Sequence, residues 1–340
     1  MTDEEEERLE TAWEALEDGA WDDALRLARQ LAAAHPQDEE TADLLARATA
    51  GSGALGAALA QLSSWEPRTT DPWPFFTRAD LLLRADPPQP EQVLKALKGV
   101  GKKVKGDPRG EAELFWLEGA ARMTLQEDAR ALECFDKALL KEPEHVDARL
   151  DRGLLRFELG KFAGAKEDLA RLAGAPYEIP DAIHTLGLLA ERAGDAAAAK
   201  QHFARATALA PESFPAPTTL SETEFDAAVQ DAIARLPDIA RQQMENVLVT
   251  VAQIPSDEDL DGGALSPTML GIFKGTPHGA RSLHSQADHA TAHIVLFQKN
   301  LERATRSREE LIEQIGITVA HEVGHLLGLD EDDLEERGLD

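Results

Sequence analysis

Three residues near the end of the sequence have the types and the spacing of a metal site with a proton acceptor beside it. His321 and His325 are four residues apart, so on an α-helix both imidazoles project from one face and can bind one metal ion. Glu322 is turned by about 100° from His321, so it is free to take a proton from a water molecule that the metal activates. Neutral imidazole nitrogens suit Zn²⁺, which in catalytic sites keeps one position open for water.

A third protein ligand would complete this zinc site, and the sequence offers more than one candidate. A glycine three residues after His325 lets the chain reverse and bring a later side chain back to the metal. Asp330, Glu331 and Asp332 follow that turn, and each supplies a carboxylate. Four histidines within residues 278–293 could supply a third imidazole instead, or could be loop residues exposed to solvent. The residues alone leave these alternatives open.

The sequence around the two histidines predicts a long helix, from residue 307 to residue 327. Ser307 and Glu310 have the spacing of a capping box at its start. Apolar residues recur at helical spacing from Ile315 to Leu326, and Gly328 stands where a glycine is expected to end the helix. One helix and three short strands are predicted before it, over residues 223–236, 246–252, 268–273 and 292–297 respectively. This order of elements predicts a small α+β domain.

Residues 222–335 resemble the minimal zincin-like metallopeptidase family of bacteria, whose domain is also described as matrix-metalloprotease-like. The resemblance rests on Phe225, Asn300 and the segments 236–237, 247–251, 269–277, 294–297, 318–325 and 328–330. It implies a compact mixed-sheet fold, bound zinc and the hydrolysis of peptide bonds. In the extended zincin signature the third ligand falls six positions after the second histidine, and Glu331 occupies that position here.

One feature of the larger zincins, a methionine turn below the metal, has no counterpart in this sequence. Only nine residues follow Glu331, and none of them is methionine. We therefore expect the surface that grips a substrate to come from elsewhere. The strand predicted at 292–297 could pair with an extended peptide, or the N-terminal part of the chain could deliver the substrate.

The N-terminal part of the sequence repeats itself every 34 residues. The positions that keep this period over three copies are Gly119, Gly153 and Gly187; Ala131, Ala165 and Ala199; Phe135, Leu169 and Phe203; and Ala138, Leu172 and Ala206. On two antiparallel helices the small residues let the backbones approach closely, and a proline then ends the second helix. These positions resemble the tetratricopeptide repeat over residues 111–212, with a degenerate copy at 5–38. The resemblance implies stacked helix pairs with a groove that binds a protein or a peptide.

The remaining segments set the predicted domain boundaries. Residues 54–110 fit the repeat poorly, and helices of irregular length are expected there. Three prolines within residues 211–217 indicate a linker. We therefore predict a multidomain chain with an all-α tetratricopeptide-like repeat domain at 1–210, a linker at 211–221 and a small α+β zincin-like metallopeptidase domain at 222–340.

Composition excludes several classes of function. The net charge of −28 over 340 residues argues against binding to nucleic acid or to an anionic membrane surface. No window of about 18 apolar residues is present, so no membrane span is expected. The chain has a single cysteine, Cys134, and its acidic N-terminus has no apolar run behind it. These features favour a cytoplasmic protein.

Two hypotheses for the function follow from these patterns. In the first, Zn²⁺ held by His321, His325 and Glu331 serves a peptidase in which Glu322 is the general base, and the repeats recruit a protein partner or the peptide substrate. In the second, the repeats are a non-catalytic scaffold, and the zincin-like domain is an inactive module that the metal stabilises. The presence of Glu322 favours the peptidase, because a purely structural site of two histidines does not need it.

Overall fold

The computed structural model describes residues 1–244, 247–275, 292–330 and 333. The chain divides into two compact units, Met1–Leu155 and Arg156–Asp340. The boundaries predicted above, at residues 210 and 222, follow sequence patterns instead and stay predictions. None of the described helices is both long and apolar enough to cross a membrane.

The first unit consists of helices that follow one another in antiparallel pairs. Their bounds are Asp3–Glu17 for α1, Trp21–Ala34 for α2, Glu39–Gly51 for α3, Leu55–Trp65 for α4, Trp73–Leu83 for α5, Pro90–Ala96 for α6, Pro108–Thr124 for α7, Asp128–Lys141 for α8 and Val146–Glu158 for α9, which runs across the unit boundary. Between residues 54 and 110 the α-helices have 11, 11 and 7 residues. The irregular helices predicted there are thus present.

The 34-residue period has the steric cause that the sequence suggested. Phe135 of α8 is fully buried, and its ring lies so close to Gly119 of α7 that a Cβ atom added to the glycine would stand 2.6 Å from the ring carbon Cε1. One repeat later, a Cβ atom on Gly187 would stand 2.6 Å from the same atom of Phe203. Since real Cβ contacts are longer than this, the glycine is required for the helices to pack at this distance.

We predict that Gly119→Ala destabilises the first unit although alanine is the better helix former. The substitution gains about 1 kcal/mol of helix propensity but overpacks the contact with Phe135, which costs about 1–3 kcal/mol. All five tryptophans lie in the first unit, so urea unfolding followed by tryptophan fluorescence measures the change. Gly56→Ala in α4 is the matched control, because a Cβ there meets no atom within 4 Å. Equal effects of the two substitutions would contradict the steric explanation.

The second unit contains the end of the repeat array and a small mixed α/β region. Its elements are Phe162–Ala170 for α10, Pro180–Arg192 for α11, Ala196–Leu209 for α12, Glu222–Arg235 for α13, Asp238–Gln243 for α14, Leu248–Ala252 for β1, Gly271–Lys274 for β2, His293–Phe297 for β3, Gln298–Ala304 for α15 and Arg308–Leu327 for α16. The helix predicted at 223–236 and the three predicted strands are present. The short helices α14 and α15 were not predicted.

The three strands form one mixed sheet in the order β1-β3-β2. β1 runs parallel to β3, with Leu248 opposite His293, and β2 runs antiparallel to β3, with Gly271 opposite Leu296. β3 therefore has a neighbour on both sides. The expectation that the strand at 292–297 pairs with a peptide substrate is wrong, because β1 and β2 already take its backbone hydrogen bonds.

One hydrophobic core joins this sheet to α13 and α16. Its largest fully buried members include Phe225, Ile294, Leu296, Leu301, Leu311 and Ile315. Burial of apolar side chains contributes about 25 cal/mol per Å² of surface removed from water, so this core fixes the position of α16 on the sheet. The predicted fold class, helical repeats followed by a small α+β domain, is confirmed.

Candidate metal centre

The helix that carries the two histidines is fixed at both ends and along one face. Ser307 accepts a hydrogen bond from the backbone N–H of Glu310 at 3.1 Å, while the Glu310 carboxylate accepts one from the N–H of Arg306 at 2.8 Å. The predicted capping box is therefore present with one change, because the Glu310 carboxylate bonds to the N–H of Arg306 and not to that of Ser307. The buried face of the helix consists of Leu311, Ile315, Val319, Val323 and Leu326, each at most 2% exposed. This face leaves the histidines on the side away from the core.

The two imidazoles face a common point. The Nε2 atoms of His321 and His325 are 3.1 Å apart, and the two rings are nearly perpendicular at 85°. Two nitrogens bound to one tetrahedral zinc ion stand about 3.3 Å apart, given Zn–N bonds of about 2.05 Å. The observed separation therefore fits a shared zinc ion.

The turn after α16 orients the second imidazole. Gly328 adopts a left-handed conformation with φ of 91°, and the N–H of Leu329 donates to the carbonyl oxygen of Gly324 at 3.0 Å. This is a Schellman motif. The Leu329 carbonyl oxygen then lies 3.2 Å from Nδ1 of His325. A carbonyl oxygen only accepts, so Nδ1 carries the proton and Nε2 is the nitrogen that can bind a metal.

Glu322 is buried beneath the start of β2. Its side chain lies so close to Gly271 that a Cβ atom on the glycine would stand 3.0 Å from the carboxylate oxygen Oε1 and 2.8 Å from Cγ2 of Thr318. Only 5% of Glu322 is exposed. The backbone of β2 thus rests directly on the proposed general base. Sequence reasoning included Gly271 in the family resemblance but did not assign it this role.

Most candidates for the third ligand lie outside the described residues. Glu331, Asp332 and the predicted loop histidines, which lie within residues 276–291, are outside the described residues. Asp330 is exposed, and its Oδ1 atom accepts a hydrogen bond from the backbone N–H of Asp333 at 2.9 Å. His293 bonds instead to the Thr250 hydroxyl at 2.7 Å within the sheet. Over the described ranges, no group of three histidine, cysteine or acidic residues is arranged to hold a metal ion.

Family comparisons agree with this architecture. Residues 244–339 match the family model described as zincin-like metallopeptidase, and residues 118–182 match the one described as tetratricopeptide repeat. The chain therefore carries a zincin-like metallopeptidase domain behind tetratricopeptide repeats, in the order that the sequence predicted. No curated protein matches the chain.

Three solved structures resemble this chain over different shares of its length. The Cut9–Hcn1 hetero-tetramer of APC/C is 14% identical over 60% of this chain and 40% of its own, with a TM-score of 0.50. The pilF protein of Pseudomonas aeruginosa is 16% identical over 66% of this chain and 96% of its own, with a TM-score of 0.45. A tetratricopeptide repeat protein from Parabacteroides merdae is 15% identical over 94% of this chain and 100% of its own, with a TM-score of 0.42. At these identities the likeness concerns the fold alone.

We predict that Gly271→Ala destabilises the second unit through its contacts with Thr318 and Glu322. The added methyl group overpacks the contact at a cost of about 1–3 kcal/mol. Glu322→Ala removes the crowded carboxylate, so the double variant should lose less than the sum of the two single variants, with a coupling free energy of about 0.5–3 kcal/mol. Differential scanning calorimetry of the four proteins measures this coupling.

Gly316→Ala is the control for this cycle. It lies on the same helix as Glu322, but a Cβ there meets no atom within 4 Å. Its effect should be neutral or stabilising, in keeping with the helix propensity of alanine. If the effects of Gly271→Ala and Glu322→Ala on the free energy of unfolding are strictly additive, the contact between the two residues contributes nothing to stability.

Proposed function

We propose that the C-terminal domain is a zinc-dependent peptidase and that the tetratricopeptide repeats bind a protein partner or the peptide substrate. The observation that supports the peptidase is the convergence of two Nε2 atoms, 3.1 Å apart, beside a buried glutamate on the same helix. His321 and His325 would hold the ion, with Glu331 as the proposed third ligand. Bound zinc supplies polarisation of the scissile carbonyl group and acidification of water.

Glu322 is the proton carrier in this proposal. Its carboxylate accepts a proton from the attacking water and passes it to the nitrogen of the leaving amine. Burial under β2 excludes bulk water from the carboxylate and restricts its rotamers, which keeps the oxygen in one place. The left-handed turn at Gly328 has a second role, because it fixes the tautomer of His325 through the Leu329 carbonyl oxygen.

The edge strand β2 is the proposed docking strand for the substrate. Within the described part of the sheet, β2 pairs with β3 on one side only. An extended peptide can add to such an edge through backbone hydrogen bonds. A peptide along β2 would pass Gly271 and therefore the carboxylate of Glu322. β2 thus takes the role that the sequence had suggested for the strand at 292–297.

We predict that Glu322→Gln keeps bound zinc and loses hydrolysis. The amide has nearly the same shape but cannot accept the proton, so cleavage of a peptide library should fall by a factor of about 10²–10⁴. Glu313→Gln, an exposed position on the same helix, is the control and should cleave normally. Undiminished cleavage by Glu322→Gln would refute the general-base role. Stoichiometric zinc without any cleavage by the unmodified protein would favour the non-catalytic scaffold.

A second prediction concerns the third ligand. Glu331→Ala should weaken zinc binding by more than the factor of about 10–100 that the loss of an outer hydrogen-bond partner costs. Asp330→Ala and Asp332→Ala should leave zinc affinity within that range. Competition with a chromogenic chelator measures all three variants, and His321→Ala defines the loss of a direct ligand. An Asp332→Ala protein that loses zinc while Glu331→Ala retains it would move the assignment by one residue.

A further inference from the structure

The segment that leads into β2 is held by a buried amide. Asn300 of α15 is 5% exposed, and its Nδ2 atom donates to the carbonyl oxygens of Pro267 at 3.1 Å and Met269 at 2.8 Å. The N–H of Phe297 donates to the next carbonyl oxygen, that of Leu270, at 2.8 Å. Because Gly271 follows directly, these three bonds set where β2 begins above Glu322.

The orientation of that amide depends on an arginine one helical turn later. Arg303 donates from Nη1 to the Asn300 side-chain oxygen at 3.1 Å. With its oxygen occupied in this way, Asn300 presents its NH₂ group to the two carbonyl oxygens. Arg303 therefore acts on the β2 segment through Asn300.

Arg303 is in turn held by the last helix pair of the repeat array. Its Nη2 atom pairs with the carboxylate of Glu191 in α11, which also pairs with Lys299 at 2.9 Å. The guanidinium group lies 5.1 Å from the ring centre of Phe203 in α12. The side chains of Glu191 and Arg303 are 12% and 18% exposed. A charge pair with so little exposure is costly to break, because the partner that remains would be buried with fewer compensating contacts.

The next residue of α11 leads to the other end of β2. Arg192 donates to the carbonyl oxygen of Pro255 at 2.8 Å and to the carboxylate of Asp257 at 2.6 Å. Asp259, two residues later, accepts from the Ser256 N–H at 2.7 Å and pairs with Lys274, the last residue of β2. Glu191 and Arg192, two consecutive residues of α11, are therefore each linked by a series of contacts to one end of β2.

We propose that Glu191, Arg303 and Asn300 are positioning residues for the peptidase site. The last helix pair of the repeat array, α11 and α12, is then required for that site to keep its geometry. The three positioning residues hold the edge strand β2 at a fixed height above Glu322. The catalytic part of this inference depends on the proposed function, whereas the positioning of β2 can be tested without any activity.

The experiment compares Arg303→Lys and Glu191→Gln with Lys299→Gln in the full chain. Arg303→Lys keeps the charge but lacks the planar fork that reaches Asn300 and Glu191 together. Lys299→Gln is the matched control, because it removes the other cation at Glu191 and leaves the Arg303–Asn300 bond in place. Hydrogen exchange followed by mass spectrometry reports on residues 270–274, and cleavage of a peptide library reports on the site.

In Arg303→Lys and Glu191→Gln we expect exchange at residues 270–274 to quicken by on the order of 10-fold, with α13 and α16 unchanged. Cleavage should fall by about 10- to 100-fold at constant zinc content, the size expected for a misplacement of roughly 1 Å. Combining the two substitutions should add little, since they break the same chain of contacts. Lys299→Gln should leave both measurements unchanged.

Two outcomes would overturn the proposal. In the first, residues 270–274 exchange at the normal rate in Arg303→Lys. In the second, exchange rises equally over α13 and α16, as it would for a general loss of stability. If the unmodified protein cleaves nothing, the proposed function fails, and the exchange at 270–274 still decides whether these residues position β2.

Discussion

Two imidazoles one helical turn apart can share an ion only while that turn stays helical, and a third ligand can reach the ion only while the helix keeps its orientation on the sheet. The second unit is built around this constraint. The buried face of α16, from Leu311 to Leu326, is pressed into the core formed with α13 and the sheet. Its end is closed by the left-handed turn at Gly328. On the remaining side, the close approach of β2 at Gly271 confines Glu322. The helix is thus held along its buried face, at its C-terminal turn and on the side where Glu322 meets β2.

The features that the sequence predicted well are those with a local signal. The spacing of His321 and His325, the start of the helix at Ser307 and its end at Gly328 each depend on neighbours within one or two turns. The 34-residue period could also be predicted from the sequence, because Gly119 contacts Phe135 within one helix pair and the same contact recurs between Gly187 and Phe203. Strand positions also followed from short apolar runs.

What the sequence did not disclose depends on partners far apart in the chain. Strand order is one case, since nothing in residues 292–297 tells whether both edges of that strand are occupied. The packing of Gly271 against Glu322 joins residues 51 positions apart, and the pair of Glu191 with Arg303 joins residues 112 positions apart. A short polar helix such as α15 also has too few residues for its periodicity to show. Asn300 belongs to the family pattern, but its neighbours in the sequence give no physical reason for an asparagine there.

Repeat arrays commonly lengthen or shorten by whole units, since each unit contacts only its neighbours. The last helix pair of this chain departs from that independence, because Glu191 and Arg192 are engaged by residues beyond the array. Duplication or exchange of this pair would separate one copy of the two side chains from their partners on α15 and after β1. Repeats added or lost before α11 would leave these contacts in place, whereas a cut after α12 would remove the partners of both Glu191 and Arg192.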